Sequence, residues 1–434
     1  MRDLKHTNKT IQKYLSTFAE PDIQHTNIPH IANIESVLVL PIFDEPIENL
    51  NRFLQINSKK KIAMVWVFNC PNNALADEQQ RTQTLMQHFL KVLNAQVLAQ
   101  IQPHSTSMYV AELSEFHQLY IIDRCTEGHE IPSKQGVGLA RKLGMDFGLK
   151  LINAQNRSLV WLHSTDADVI RPPNYFDIPA PEMHTSAMIY PFEHQAEQGY
   201  EQAMFLYDLS LRYYVDQLKW AGSPYAFHTI GSLITVAPLA YSQVRGIPKR
   251  SGAEDFYLLN KLAKVGTVKT LESPMIKIAG RPSHRVPFGT GPALVKLKEM
   301  ESSHSNYTFY QPNIFKALKC LLTIVSEAEQ TIASAEILFT SLRDTMPKQK
   351  AETVIKALKA LKIEKQFENL SQQRTKAQFI KSFHTWFDAF VTLRFIHIMR
   401  DLDYPSVNVA TLKHYFERNG AEFESYKRLT SLGI

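Results

Sequence analysis

Cysteine is nearly absent from this chain: Cys70, Cys125 and Cys320 are the only three in 434 residues, far apart and odd in number. With no CxxC pair, neither a disulfide framework nor a zinc ribbon is supported, and free thiols fit a reducing compartment. Long apolar runs are missing as well. No stretch approaches the roughly 18 apolar residues a spanning helix needs, and the longest candidate, Ile230 to Ala240, reads as a core strand. The first twenty residues are polar and lack the apolar segment of a secretory signal. A cytoplasmic protein is therefore expected, with contact at a membrane face left open. Nor is there a lysine/arginine stripe interleaved with aromatics, which argues against extended nucleic-acid binding. The net charge of +6 is modest for this length and suits an anionic small substrate.

Helix breakers are scarce towards the end of the chain. Fourteen of the 16 glycines precede residue 300, leaving Gly420 and Gly433, and only Pro312, Pro347 and Pro405 fall in the same stretch. That stretch is rich in Leu, Ala, Lys, Glu and Gln, and 351–363 and 376–399 repeat apolar residues every three or four positions. It should be helical. At 434 residues two folding units are expected, so the chain divides into an N-terminal extension (1–30), an α/β domain (31–299) and a helical domain (300–434). The last carries a charge of +4 and is open to reading as an acceptor lid, a dimer contact or a membrane-surface dock.

Within the α/β domain, 36–43, 61–69, 118–123 and 158–163 read as short apolar strands. Helices are expected at 46–57, 77–98 and 138–153. Alternating strands and helices, with near-continuous apolar strands, predict a mostly parallel sheet flanked by helices. Ligands bind such sheets at the carboxyl ends of the strands.

Several acids and basic residues fall at those ends. Ser158–His163 runs into Ser164-Thr-Asp166-Ala-Asp168. In extended backbone the two carboxylates point to one side and can converge on Mg²⁺ or Mn²⁺. A solvated strand-end turn or a helix cap would use the same acids, but the position after a buried strand and before Arg171-Pro172-Pro173 favours the cation. Upstream, Gly136-Val-Gly138-Leu-Ala-Arg141 opens a helix. The glycines allow close backbone approach and Arg141 can pair with phosphate; alternatively Gly144 and Gly148 simply pack the helix on the sheet. Downstream, Ala253-Glu254-Asp255 begins another helix, where acids suit the dipole and where one carboxylate could act as general base. His163 reads as a packed strand histidine. The aromatic segment Tyr200–Trp220 reads as core or domain packing rather than a sugar platform.

Taken in order, Leu40-Pro41-Ile-Phe-Asp44-Glu45, the Gly136–Gly148 run, Thr165-Asp-Ala-Asp168 and Ala253-Glu-Asp255 with Leu258, Leu262 and Gly266 resemble the motifs of family-2 glycosyltransferases. That family has the GT-A fold, and the resemblance spans about residues 36 to 272. It implies inverting transfer from a nucleotide-diphospho-sugar donor to an acceptor hydroxyl. Asp166 and Asp168 would hold Mn²⁺ or Mg²⁺ and the diphosphate. Asp255 would be the base, with Glu254 on acceptor or donor sugar. Pro41, Asp44, Glu45, Asn69, Gly138 and Arg141 would lie along the nucleotide sugar. In the late loop Gly280-Arg281-Pro-Ser-His284-Arg285, His284 would be a third metal ligand and Arg281 or Arg285 would meet phosphate. Where the family reads the base with an aspartate, this chain has Asn69-Cys-Pro-Asn-Asn73. The family's Q-x-x-R-W, typical of processive polymerases, is absent, which disfavours a polysaccharide synthase. Two other readings compete: a catalytically silent scaffold binding a partner through its C-terminal helices, and a sugar nucleotidyltransferase. Retention of the acids and Arg141 argues against the first. The missing basic, glycine-rich loop after the first strand argues against the second.

Overall fold

The computed structural model describes residues 2–28, 33–101, 106–154, 159–283, 289–300, 307–328, 331–419 and 423–431. The chain is α/β and divides into two compact units, one of residues 1–197 with 229–292 and one of 198–228 with 293–434. The strands of the first unit are β1 (Ser36–Ile42), β2 (Ile62–Asn69), β3 (Gln96–Ile101), β4 (Thr106–Glu112), β5 (His117–Arg124), β6 (Trp161–Ser164), β7 (Val169–Ile170), β8 (Thr185–Ile189), β9 (Phe192–Ala196), β10 (Ile234–Val236), β11 (Thr267–Thr270) and β12 (Ile276–Gly280). Nine of them form one sheet in the order β11-β8-β10-β6-β1-β2-β5-β4-β3, and β7-β12-β9 form a second, smaller one.

Every residue of β1 and β2 is buried, as the unbroken runs Val-Leu-Val-Leu and Met-Val-Trp-Val-Phe require of strands covered on both faces. The central strands β6, β1, β2 and β5 are mutually parallel, and antiparallel pairs flank them. Their carboxyl ends therefore share one rim. The helix Gly136–Ala154 lies close on this sheet because two glycines permit it. A Cβ on Gly144 would come within 2.3 Å of Val39 Cγ1, and one on Gly148 within 2.6 Å of Val37 Cγ1.

Several elements depart from the sequence expectation. The helix expected over 77–98 ends at Val92, and Gln96 already starts β3; Asn94 reverses the chain at a φ of 48°. The single strand expected over 230–240 is instead a 3-10 turn, the short β10 and a helix at Pro238–Gln243. β6 begins at Trp161, and residues 155–158 lie outside the described ones. The N-terminal segment is no appendage, since its helix Arg2–Thr17 belongs to the first unit. Tyr14 and Tyr241 both donate to Asp146 Oδ1, at 2.6 and 2.8 Å, and Lys142 pairs with Asp146 at 2.8 Å.

The second unit is helical. Its core joins Leu318, Phe339, Leu358, Phe383 and Phe395. It also takes in the helix Glu201–Trp220, which a single boundary near residue 300 assigns to the α/β domain. Tyr213 packs there against Phe309, Phe315 and Phe416. The periodic segment 376–399 is two helices, Lys376–Trp386 and Ala389–Leu402. Asp388 separates them by accepting from the Phe390 and Val391 amides, at 3.0 Å each. No helix among the described residues is long and apolar enough to cross a membrane.

Candidate active site

The rim formed by the central strands opens on a cavity of about 420 Å³, within the range that small-molecule sites occupy. Pro41, Glu45, Asn69, Arg141, Asp166, Asp168, Glu254 and Asp255 all line it. Carboxylates from segments nearly ninety residues apart in the chain thus face one space.

β6 delivers the first two. The strand stops at Ser164, and the Thr165 amide still donates to Val39 O at 3.1 Å. The chain then turns, with the Val169 amide donating back to Asp166 O at 3.2 Å. Asp166 and Asp168 therefore reach the cavity from a turn between β6 and β7, not from extended backbone as the spacing suggested.

Arg141 is the hub. It projects from the second turn of the helix Gly136–Ala154 and is 5% exposed. Its Nε donates to Glu254 Oε1 at 3.0 Å, Nη1 to Ser164 Oγ at 2.7 Å and to Thr165 O at 3.3 Å, and Nη2 to Asp166 Oδ1. Burial alone would lower its pKa, but Asp166, Glu254 and Asp255 together raise it above the ordinary arginine value. Room for the guanidinium depends on Gly231, where a Cβ would sit 2.8 Å from Arg141 Nη2. Nothing local in the sequence marks Gly231, because its neighbour lies ninety positions upstream.

Asp255 sits in the first turn of the helix Glu254–Val265, behind Ala253 at a φ of 59°. It opens on the cavity, and its Oδ1 accepts from the Phe256 amide at 2.7 Å. Burial, followed by the neighbouring Glu254 charge, pushes its pKa up to about 7; the Phe256 amide and Arg141 oppose the shift. One carboxylate is thus poised to exchange a proton near neutrality while Glu254 is held by a guanidinium.

On the other wall Arg281, the residue after β12, bonds Glu45 at 3.0 and 3.2 Å and approaches Asp168 at 3.6 Å. Its Nε is buried without a hydrogen-bond partner among the described residues. Asn69 is fixed by donating to Ile42 O at 3.0 Å and Val67 O at 3.2 Å, which ties the ends of β1 and β2 together.

Two expected residues, Asp44 and Gly138, stand elsewhere. Asp44 adopts a φ of 50° and pairs with Arg81 through both oxygens, at 2.7 and 3.0 Å, rather than lining the cavity. Gly138 serves packing: a Cβ there would lie 2.6 Å from the Arg250 and Pro248 backbone. His163 is fully buried among Tyr175, Phe176 and Tyr190, and burial followed by Lys60 and Arg171 pushes it down to about 3. It is a packed, neutral residue, as its sequence setting implied. His284 and Arg285 lie outside the described residues.

Among the described residues no group of three or more His, Cys, Asp and Glu side chains is gathered to hold a metal. Asp166 and Asp168 nevertheless present hard oxygen donors on one wall, a set that suits Mg²⁺ or Mn²⁺ when a diphosphate supplies further oxygens. Asn73, Ser133 and Ser232 also line the cavity. No protein-family model matches the chain, and no curated protein matches it.

Proposed function

We propose that this protein transfers a sugar, with inversion, from a nucleotide-diphospho-sugar to an acceptor hydroxyl. The observation that carries the reading is the opening of Asp166, Asp168 and Asp255 onto one cavity at the carboxyl rim of the parallel strands. A hydroxyl is a poor nucleophile. Asp255, ionised above its raised pKa, takes the hydroxyl proton as the new bond to the anomeric carbon forms and the bond to the diphosphate breaks. A divalent cation held by Asp166 and Asp168 would neutralise charge developing on the departing diphosphate. Arg141 holds Asp166 and Glu254 in place at the cavity, and Arg281, paired with Glu45, stands beside Asp168. The resemblance to family-2 glycosyltransferases supports the same assignment of roles.

Calorimetric titration with UDP, GDP and CDP sugars, each with and without Mn²⁺, tests the reading. At least one donor should bind with Mn²⁺ and bind weakly without it, and Asp168→Ala should abolish that difference. A chain that binds none of them, yet retains partners through its helical unit, is the silent scaffold instead. Release of diphosphate from a nucleoside triphosphate and a sugar phosphate would make it a nucleotidyltransferase.

A further inference from the structure

Two backbone segments meet at the mouth of the cavity on the side of Asp255. Ser133 and Gly136 line the cavity on one segment, and Ser251 and Gly252 on the other. They are in direct contact. The Gly138 amide donates to Arg250 O at 2.9 Å, and a Cβ on Gly136 would lie 2.8 Å from Ser251 Cα. Each segment carries an exposed cation beside its lining residues, Lys134 and Arg250.

Lys134 has no hydrogen bond or ion pair to any described residue, and Arg250 has no carboxylate partner among them. The neighbouring Lys249 differs, since it pairs with Glu20 at 3.2 Å. Arg250 is nevertheless placed: its guanidinium lies 4.1 Å from the centre of the Tyr257 ring, one turn along the helix that begins with Glu254 and Asp255. A stacked guanidinium keeps its donors free for an anion. Of the two carboxylates that open the helix carrying Tyr257, Glu254 is taken up by Arg141.

From this arrangement we infer that the acceptor is an anion: a hydroxyl compound whose phosphate or carboxylate group is held by Lys134 and Arg250 while its hydroxyl reaches Asp255. The inference rests on Asp255 being the base side of the cavity, as argued above. It names the acceptor's chemistry, which the donor-side residues leave open. Two cations on the segments that line the cavity beside the base, with no carboxylate partner among the described residues, would attract such an acceptor and orient it, and would favour it over a neutral sugar.

Ligand-observed NMR titration of the full chain, saturated with Mn²⁺ and whichever nucleoside diphosphate binds, separates the outcomes. The probes are glycerol 3-phosphate, glycerate and glycerol. The charged probes should bind and glycerol should not. Lys134→Ala and Arg250→Ala should each weaken the charged probes by about tenfold, with nucleoside diphosphate affinity unchanged. Sedimentation with phosphatidylcholine vesicles containing phosphatidic acid assigns the phosphate to a lipid if binding exceeds that to phosphatidylcholine alone and is lost in both variants. Anionic probes and vesicles that bind no better than their neutral counterparts, or variants that bind as the parent does, would overturn the inference. Failure of every nucleoside diphosphate to bind would overturn the donor reading instead, so the two failures are distinct.

Discussion

Replacing Asp255 with asparagine removes a charge while keeping nearly the same shape, and its consequences run in two directions. A positioned general base contributes about 10²–10⁴-fold to rate, so Asp255→Asn should lose that much in kcat while donor binding persists. In the parent protein kcat/KM should climb with pH and level off above a pKa of about 7. Stability should move the other way. The ordinary value of the carboxyl is 3.8 and its folded value about 7. Between those limits the folded chain keeps a proton that the unfolded chain has released, so stability declines as pH rises through that window and the full loss is present above it. A displacement of about three units at about 1.4 kcal/mol each, with the opposing effect of Arg141 already included, gives an upper limit of roughly 4 kcal/mol. Asp255→Asn should therefore be more stable than the parent at pH 8, by about 2–4 kcal/mol, and should lose the advantage by pH 4. Urea denaturation followed by circular dichroism at several pH values measures the second effect, and nucleoside diphosphate release measures the first. A variant within threefold of parental activity, together with a pH profile flat through neutrality, would refute the assignment of the base.

Arg141→Met should cost about 3–5 kcal/mol at pH 7 by chemical denaturation, because it strands the buried Glu254 without its cation. Gly144→Ala should cost about 1–3 kcal/mol from the clash with Val39, outweighing the helix propensity of alanine, about 1 kcal/mol. A variant as stable as the parent would show that helix and strand can part there. Asp388→Ala removes a cap holding two amides and should lower stability by about 1 kcal/mol in a thermal melt.

What the sequence disclosed follows the physics of each element. β1 and β2 were legible because strands covered on both faces must be apolar throughout, and the helices after residue 310 because breakers are scarce there. The carboxylates were legible because parallel strands send their ends to one rim. Hidden features depended on distant partners. Glu45 and Arg281 are 236 positions apart, and only the fold brings β12 next to the end of β1. Asp44 looked as available as Glu45, yet a left-handed backbone turns it to Arg81. The helix Glu201–Trp220 has an amphipathic pattern that announces a buried face without saying which core will cover it. The end of the helix near Val92 was missed because Val97 and Leu98 continue a helical spacing, while the reversal is made by Asn94.

Asp166 and Asp168, in the mechanism proposed above, hold a cation and a diphosphate in the cavity that Asp255 also lines. Crystals grown with Mn²⁺ and the nucleoside diphosphate that binds, measured at the manganese absorption edge, test it directly. One anomalous peak should appear within coordination distance of a carboxylate oxygen of Asp168, next to the bound diphosphate and in the cavity that Asp255 lines. An ordered nucleotide outside this cavity, or manganese bound away from both aspartates, would contradict it.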